Sequence, residues 1–397
     1  MGAATDRWDI FCRVVDNLGD VGVSWRLARI VAREHGKRVR LWVDDLTVLS
    51  RLRPEIDPAS ERQVLEGVEV ALLRDGAADV EIADVVVETF GCDPPPEYVE
   101  AMARRPKRPR WINLEYLSAE DWVEGSHALP SPNPRLPLVK HYFFPGFTPR
   151  TGGLLREADL LRRRIEFQRD TGAQAAFWQG LVGRVPPREA LKVSLFTYSG
   201  APLEHLARCC EQSAGPVWLV APEGMAASVL GERFRPGHET IRRNEQSGGH
   251  RREAEVIVVP FLPQDDYDML LWACDVNFVR GEDSFVRAQW AARPFAWHIY
   301  PTDDGAHWIK LAAFLTRYTA GLSRDQAGAV TGLWEAWNRR DGGPEPATVP
   351  PGLSGAWAEF TARREALSEH AVDWANRLAA RRDLAGEMVD FVDNVLE

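Results

Sequence analysis

The chain has 397 residues, of which 45% are hydrophobic and 27% charged, a composition typical of a folded protein with roughly two or three domains. Its 48 lysines and arginines against 58 aspartates and glutamates give a formal net charge of −10, which argues against general binding of nucleic acid or anionic lipid. No apolar run approaches the roughly 20 residues of a membrane span, and the N-terminus has no apolar signal region. We therefore expect a cytoplasmic protein without membrane association.

The cysteines and histidines argue against disulfides and bound metal. The five cysteines are an odd number without a C-x-x-C pair, and the nine histidines are scattered without H-x-x-x-H spacing. We expect reduced, mostly buried thiols and no dedicated metal site.

The N-terminal part has the alternation of a βαβ unit. An apolar, β-prone run over 9–15 is followed by a glycine-containing loop at 16–22, a helical pattern over 25–35 and a second strand pattern over 39–43.

Two further apolar runs, 84–90 and 111–114, are typical of buried parallel strands that end in loops. The proline- and aromatic-rich segment 130–147 is incompatible with a regular helix, and we predict a surface loop packed down by its rings. A charged helix is predicted over 157–168.

A second βαβ series follows Pro186 and Pro187, so we place a domain boundary near residue 185. Its predicted strands are 191–197, 217–220, 256–259, 276–279 and 295–299, and its predicted helices are 202–212, 265–274, 285–292 and one from about 307. A polar loop is predicted at 244–253 and a linker at 341–355. The sequence therefore predicts an α/β protein with two Rossmann-like, doubly wound domains, 1–185 and 186–371, and a C-terminal helix over 372–397 that packs on the first domain.

Ligands of open α/β sheets bind where strand ends meet helix N-termini, so the loops at those places are candidate sites. The first loop contains Asp16, Asn17, Gly19 and Asp20. Its G-x-x-G pattern with two carboxylates differs from G-x-G-x-x-G, which disfavours a nicotinamide dinucleotide. From spacing alone the two aspartates suit either a turn with helix capping or a site that holds a cation or removes a proton.

Two later loops suit a nucleotide. In RGEDS at 280–284, Arg280, Ser284 and the amides of the helix start can bind a diphosphate, although Asp283 and Ser284 equally suit plain helix capping. In FLPQD at 261–265, Gln264 can contact a base edge and neighbouring rings can stack on it, unless those rings pack in the core.

Three segments together resemble the EarP family of bacterial protein-arginine rhamnosyltransferases. They are DNLGDVGVSWRLAR at 16–29, SLFTYSG at 194–200 and VPFLPQDDYDMLLWACDVNFVRGEDSFVRAQWAARPFAWHIYP at 259–301. The likeness covers essentially the whole chain in order. It implies a GT-B glycosyltransferase fold, with two Rossmann-like domains facing a central cleft. It also implies transfer of L-rhamnose from dTDP-β-L-rhamnose to one arginine of elongation factor P, with inversion and without a metal or other cofactor.

The resemblance assigns roles to individual residues. Asp20 falls on the family's general base, with Asp16 beside it, and Glu282 falls on a second essential carboxylate. The positions expected to bind the donor are Asn17, Gly19, Phe196, Tyr198, Phe261, Gln264, Tyr267, Arg280, Gly281, Asp283 and Ser284. Tyr267 departs from the phenylalanine expected there, and its hydroxyl needs a partner or water.

Acceptor docking and alternative functions stay open at this point. The acceptor protein is expected to dock on the N-terminal domain, where the aromatic segment 141–147 is a candidate surface unless it serves packing alone. The alternatives are a GT-B transferase with a small-molecule acceptor, a non-catalytic nucleotide-sugar or translation-factor binding protein, and the disfavoured nicotinamide oxidoreductase.

Overall fold

The computed structural model describes residues 6–15, 18–74, 81–233, 254–339 and 352–394. The chain divides into two compact units: unit 1 is Met1–Leu160 with Arg377–Glu397, and unit 2 is Leu161–Asn376. The predicted loop at 244–253 and the linker residues 341–351 lie outside the described residues. No helix in the described ranges is long and apolar enough to cross a membrane.

Unit 1 contains an eight-stranded sheet with helices between its strands. The elements are β1 (Arg7–Cys12), α1 (Leu18–Glu34), β2 (Arg38–Val43), α2 (Leu46–Leu52), β3 (Arg62–Leu65), β4 (Val68–Leu72), β5 (Val85–Thr89), α3 (Pro96–Arg104), β6 (Arg110–Leu114), α4 (Val123–Ser126), β7 (Pro130–Pro132) and β8 (Val139–Phe143). The strand order is β3-β4-β2-β1-β5-β6-β8-β7. All pairs are parallel except β3–β4 and β7–β8, the antiparallel hairpins at the two edges.

The central strands of unit 1 are apolar because both faces of the sheet are covered. Ile10, Leu41 and Val87 are fully buried, as expected of parallel strands between helices. Their carboxyl ends meet at one edge of the sheet, and the loops that follow β1, β5 and β6 therefore lie side by side.

Unit 2 contains a five-stranded, wholly parallel sheet in the order β11-β10-β9-β12-β13. Its elements are α5 (Leu160–Arg169), α6 (Thr171–Val182), β9 (Leu191–Leu195), α7 (Leu203–Glu211), β10 (Val217–Pro222), α8 (Met225–Arg233), β11 (Ala254–Val259), α9 (Gln264–Ala273), β12 (Val276–Arg280), α10 (Glu282–Trp290), β13 (Phe295–His298), α11 (Ala306–Tyr318), α12 (Arg324–Asn338), α13 (Leu353–Ala362) and α14 (Arg364–Ala379). The chain then returns to unit 1 and ends in α15 (Leu384–Asn394).

The division after Leu160 differs from the boundary predicted near residue 185. Helices α5 and α6 carry aromatic side chains that pack in unit 2. The ring centroids of Phe167 and Trp272 are 6.0 Å apart, and so are those of Trp178 and Trp218. Gln168 Nε2 also donates to the carbonyls of Trp272 and Ala291, at 3.3 and 2.9 Å. The prolines at 186–187 therefore interrupt the chain within unit 2, after its first two helices.

Three predicted segments differ from the structure. Helix α1 begins at Leu18, so Gly19 and Asp20 lie in its first turn and not in a loop. Helix α10 likewise begins at Glu282, inside the predicted RGEDS loop. Segment 130–147 contains β7 and β8 in place of the predicted surface loop, because extended backbone on a sheet edge tolerates proline.

Candidate active site

Asp20 lies in the first turn of α1, at the carboxyl end of β1. The side chain is 2% exposed, and its Oδ2 accepts a hydrogen bond from the Val15 amide at 3.0 Å. Its Oδ1 accepts from the Tyr116 hydroxyl at 3.4 Å. A carboxylate in the first helical turn is favoured by the helix dipole. Gly19 adjoins Asp20 in this turn, whereas Asp16 and Asn17 lie outside the described residues.

The first turns of α1 are anchored to the sheet by buried hydroxyls. Ser24 Oγ donates to the backbone carbonyl of Asp20 at 2.8 Å and lies 3.1 Å from the Thr89 hydroxyl. Thr89 in turn donates to the carbonyl of Phe11 at 2.9 Å. Because Ser24 and Thr89 are at most 1% exposed, these contacts hold the backbone of Asp20 against β1 and β5.

An aromatic pair next to Asp20 was not predicted from the sequence. Phe90 follows β5 and Tyr116 follows β6, and their rings stack with centroids 4.4 Å apart and planes 17° apart. Phe90 has a φ of +58°, which is uncommon for a bulky side chain, and its amide donates to the Leu114 carbonyl at 2.7 Å. The adjacency of β5 and β6 in the sheet brings the two rings together.

In unit 2 the guanidinium of Arg280 lies against two aromatic rings. Arg280 ends β12, and its guanidinium carbon is 4.5 Å from the Phe196 ring centroid and 4.6 Å from that of Tyr198. Phe196 and Tyr198 follow the neighbouring strand β9, and the Phe196 amide donates to the Phe278 carbonyl at 2.9 Å. The two rings therefore hold a cationic group at the carboxyl ends of two strands.

The N-terminus of α10 adjoins this cation. Gly281 is the N-cap residue with a φ of +66°, a left-handed conformation that glycine adopts without strain. Glu282 and Asp283 lie in the first turn, and the Ser284 hydroxyl donates to the Arg280 carbonyl. The N-cap residue is therefore neither Asp283 nor Ser284, and Gly281 has no side chain that could cap the helix. The first-turn amides, which lack intrahelical acceptors, can therefore bind an anion.

The side chains predicted to contact the nucleotide base lie near the carboxyl ends of the same sheet, around Arg280 and the N-terminus of α10. Gln264 is 2% exposed, and its Nε2 donates to Asp283 Oδ2 at 2.9 Å. Tyr267 lies 5.6 Å from Phe196 between ring centroids, while Phe261 is half-buried beyond the end of β11. The buried Tyr267 hydroxyl has no hydrogen-bond partner in the described residues, and burial raises its pKa. The partner that this added hydroxyl was expected to need is thus not supplied by the described side chains.

Two further residues adjoin the cluster and were missed in the sequence. Tyr300 is 59% exposed and packs edge-on against Tyr198, with ring centroids 5.3 Å apart. His298 is buried, and its Nδ1 accepts from the Tyr198 amide at 3.2 Å, which requires an unprotonated nitrogen there. Both lie at the end of β13. Only the pairing of β13 with β12, which sequence does not specify, places them here.

The structure thus collects the predicted donor residues of unit 2 at one sheet edge, whereas Asp20 and Gly19 lie in unit 1. No group of three or more His, Cys, Asp or Glu side chains within the described ranges is arranged to hold a metal ion. All five cysteines are buried, as predicted.

The two α/β units, each built on a mainly or wholly parallel sheet, have the GT-B fold of glycosyltransferases. The solved structure of spinosyn forosaminyltransferase SpnP shares this fold, with a TM-score of 0.50 over 99% of this chain and 100% of that one, at 13% identity. A solved structure that describes EarP-mediated arginine glycosylation of translation elongation factor EF-P gives a TM-score of 0.64, with 35% identity over 98% of this chain and 99% of that one.

The family model described as Elongation-Factor P (EF-P) rhamnosyltransferase EarP matches residues 8–393, and the chain belongs to this family. The protein-arginine rhamnosyltransferase of Pseudomonas putida is 47% identical over 390 residues, which cover 98% of this chain and 99% of that protein. The Pseudomonas aeruginosa enzyme of the same name is 45% identical over 385 residues, 97% of this chain and 98% of that protein. The chain is accordingly a protein-arginine rhamnosyltransferase. The small-molecule, non-catalytic and nicotinamide alternatives are thereby excluded.

Proposed function

We propose that the enzyme transfers L-rhamnose from dTDP-β-L-rhamnose to an arginine of elongation factor P, with inversion at the anomeric carbon and without a metal ion. The observation that carries the donor assignment is the guanidinium of Arg280, held by Phe196 and Tyr198 at the N-terminus of α10. The acceptor assignment is supported by the family description and by the EF-P glycosylation described for the EarP relative.

The donor site has the chemistry that a departing nucleoside diphosphate needs. The Arg280 guanidinium is planar and permanently charged, and the N-terminus of α10 adds partial positive charge. Together they stabilise the negative charge that develops on the leaving diphosphate oxygen, so neither a metal ion nor a general acid is required. The flanking rings and Gln264 provide stacking and polar contacts for a base.

On the acceptor side, the arginine must be made nucleophilic. An arginine guanidinium has a pKa above about 12, and its nitrogens become nucleophilic only as a proton leaves. In the proposed step one guanidinium nitrogen forms a bond to the anomeric carbon, the bond from that carbon to the diphosphate oxygen breaks, and Asp20 accepts the proton. A single displacement of this kind inverts the anomeric carbon. Glu282 is the second carboxylate proposed for the reaction, either to hold the guanidinium or to stabilise positive charge on the sugar.

The test mixes the purified enzyme with dTDP-β-L-rhamnose and elongation factor P from the same organism and measures intact and fragment masses. We expect one deoxyhexosyl group on one arginine, an α-anomeric product by nuclear magnetic resonance, and unchanged rates in a chelator. Retained β configuration contradicts inversion, and loss of activity with chelator that returns with added metal contradicts metal independence. No added mass on elongation factor P contradicts the acceptor assignment.

Asp20→Asn tests the base assignment in the same assay. The substitution keeps the shape of the side chain but removes its ability to take a proton, so transfer should fall by about 10²–10⁴-fold. Binding of dTDP to the variant, measured by calorimetry, should match the parent enzyme because Arg280 and Gln264, the side chains proposed to contact the diphosphate and the base, lie in unit 2. Transfer within about tenfold of the parent rate would remove Asp20 from the role of base.

A further inference from the structure

Tyr116 offers an exposed aromatic surface in direct contact with Asp20. The Tyr116 hydroxyl donates to Asp20 Oδ1 at 3.4 Å. Asp20 is only 2% exposed, whereas Tyr116 is 39% exposed. Phe90 covers one face of the Tyr116 ring at a centroid distance of 4.4 Å. With Phe90 in place Tyr116 is still 39% exposed, so part of this side chain is open to a ligand that approaches Asp20.

The sheet holds this surface in place. Phe90 and Tyr116 follow β5 and β6, which pair directly, and β5 also pairs with β1, whose end leads to Asp20. The amide of Phe90 is tied to the β6 carbonyl of Leu114 at 2.7 Å. The ring pair and the carboxylate are thus fixed to three adjacent strand ends rather than to one flexible segment.

A guanidinium group matches both components of this arrangement. It is flat and positively charged, so it stacks on an aromatic face, and its N–H groups point outward in its own plane toward a carboxylate. We propose that Tyr116, supported by Phe90, is an acceptor-binding residue: its ring stacks on the guanidinium of the target arginine, while its hydroxyl orients Asp20 toward the reacting nitrogen. This inference rests on the proposed function of Asp20 and on its proposed acceptor.

The same arrangement selects arginine over lysine. A lysine ammonium is compact and strongly hydrated, and it has no flat face to lay on a ring. Removal of the ring should therefore weaken binding of an arginine acceptor more than binding of a lysine acceptor. A ring that merely contacts the surrounding surface of the acceptor protein would affect the two equally.

A double-mutant cycle separates these cases. Calorimetry measures the binding of elongation factor P, and of the same protein with its target arginine changed to lysine, to the parent enzyme and to Tyr116→Leu and Tyr116→Phe. The parent and Tyr116→Phe should prefer the arginine acceptor by about tenfold, and Tyr116→Leu should lose most of this preference. An equal loss of affinity for both acceptors in Tyr116→Leu would overturn the proposal.

Steady-state kinetics test the hydroxyl. Tyr116→Phe keeps the ring but no longer donates to Asp20, so kcat should fall by roughly three- to tenfold while KM for the acceptor stays within about twofold. Tyr116→Leu should raise that KM about tenfold. An acceptor KM unchanged in Tyr116→Leu, or a Tyr116→Phe enzyme as fast as the parent, would contradict the corresponding half of the proposal.

Two controls distinguish a specific loss of acceptor binding from a general loss of structure. The melting temperature and the dTDP affinity of each variant should match those of the parent, since Tyr116 is exposed and the side chains proposed to contact the diphosphate and the base, Arg280 and Gln264, lie in unit 2. If the leucine variant is unstable, Tyr116→Gln replaces it with the same expected loss of preference. A parent enzyme that does not modify elongation factor P refutes the acceptor, whereas a parent that does, with unchanged discrimination in both ringless variants, refutes the role of Tyr116.

Discussion

Arg280 shows how a single side chain can be prepared for an anion before the anion binds. Its guanidinium carbon lies 4.5 and 4.6 Å from the centroids of Phe196 and Tyr198. These contacts restrict a side chain that is otherwise rich in rotamers, so little conformational entropy is lost when a diphosphate arrives. Lysine carries the same charge but cannot keep this geometry.

Arg280→Lys should therefore weaken dTDP binding by roughly five- to thirtyfold, the equivalent of about 1–2 kcal/mol. Titration calorimetry with dTDP measures the dissociation constant. Arg208→Lys is the matched control, because Arg208 is an exposed residue of unit 2 on α7 and its substitution should leave the constant unchanged. Affinity within twofold of the parent in Arg280→Lys would show that charge alone suffices at this position.

At the scale of the element, the two helices that begin at the candidate donor site are joined by a buried ion pair. Asp268 on α9 accepts from Arg287 on α10 through both carboxylate oxygens, at 3.0 and 2.6 Å, and both residues are 2% exposed. A pair with this geometry compensates the desolvation of its charges, whereas one partner left alone does not. The pair therefore fixes the packing of α10 against α9.

Asp268→Asn should destabilise unit 2 by about 3–5 kcal/mol, because it leaves the Arg287 charge buried without a carboxylate. Denaturant titration measures the loss. Glu166→Gln provides the comparison: it breaks the ion pair with Arg162 on α5, where both side chains are at least 60% exposed, and should cost less than about 0.5 kcal/mol. Similar losses in the two variants would rule out a special contribution of burial.

The same elements show what the sequence predicts well and where it falls short. Apolar runs such as 84–90 and 276–279 predicted β5 and β12 because both faces of a central parallel strand are buried. The sequence pattern predicts the starts of α1 and α10 too late, because the glycines in DNLGDVG and RGEDS are typical of loops. Residues near glycine can still enter a helix when the following side chains, such as Val21 and Phe285, are buried.

The residues of the candidate site likewise include some that the sequence predicts and some that it does not. Asp20, Arg280 and Gln264 carry chemistry that is recognisable from residue type next to a predicted strand end. No local sequence pattern identifies Tyr116 and Tyr300 as site residues. They lie next to Asp20 and Tyr198 only because of the strand orders β1-β5-β6 and β12-β13. Strand order depends on long-range packing and is not encoded in a local pattern, so these two residues required the structure.

At the scale of the whole molecule, the last segment of the chain belongs to unit 1, although unit 2 separates the two in sequence. Arg156 donates to the carbonyls of Ala379 and Arg381 at 2.8 and 3.2 Å, and the Leu384 amide donates to the Leu154 carbonyl at 3.0 Å. Helix α15 packs on α1, and just beyond the end of α1 Lys37 Nζ lies 3.0 Å from Asp393 Oδ2. The segment thus supports the helix that carries Asp20.

Gly153 lies directly beside the backbone of this returning segment. It has a φ of +73°, and a Cβ added there would lie 2.8 Å from the backbone carbonyl oxygen of Arg382, which cannot move aside as a flexible side chain could. Gly36 offers a matched control in the same unit: its φ is +63°, and a Cβ there would meet nothing within 4 Å. Both glycines share the cost of a left-handed alanine, and they differ only in the contact with the returning chain.

Gly36→Ala should therefore cost only the left-handed strain of about 1–2 kcal/mol, and Gly153→Ala should cost about 1–3 kcal/mol more because the backbone must shift. Thermal unfolding with and without dTDP shows which unit is destabilised. The nucleotide should raise the unfolding temperature of unit 2 and leave the unfolding temperature of unit 1 unchanged. We expect Gly153→Ala to lower the transition that does not respond to nucleotide, and to lower it further than Gly36→Ala does. Equal shifts in the two variants would mean that the C-terminal segment separates from Gly153 at little cost, and that α1 and Asp20 do not depend on it for stability.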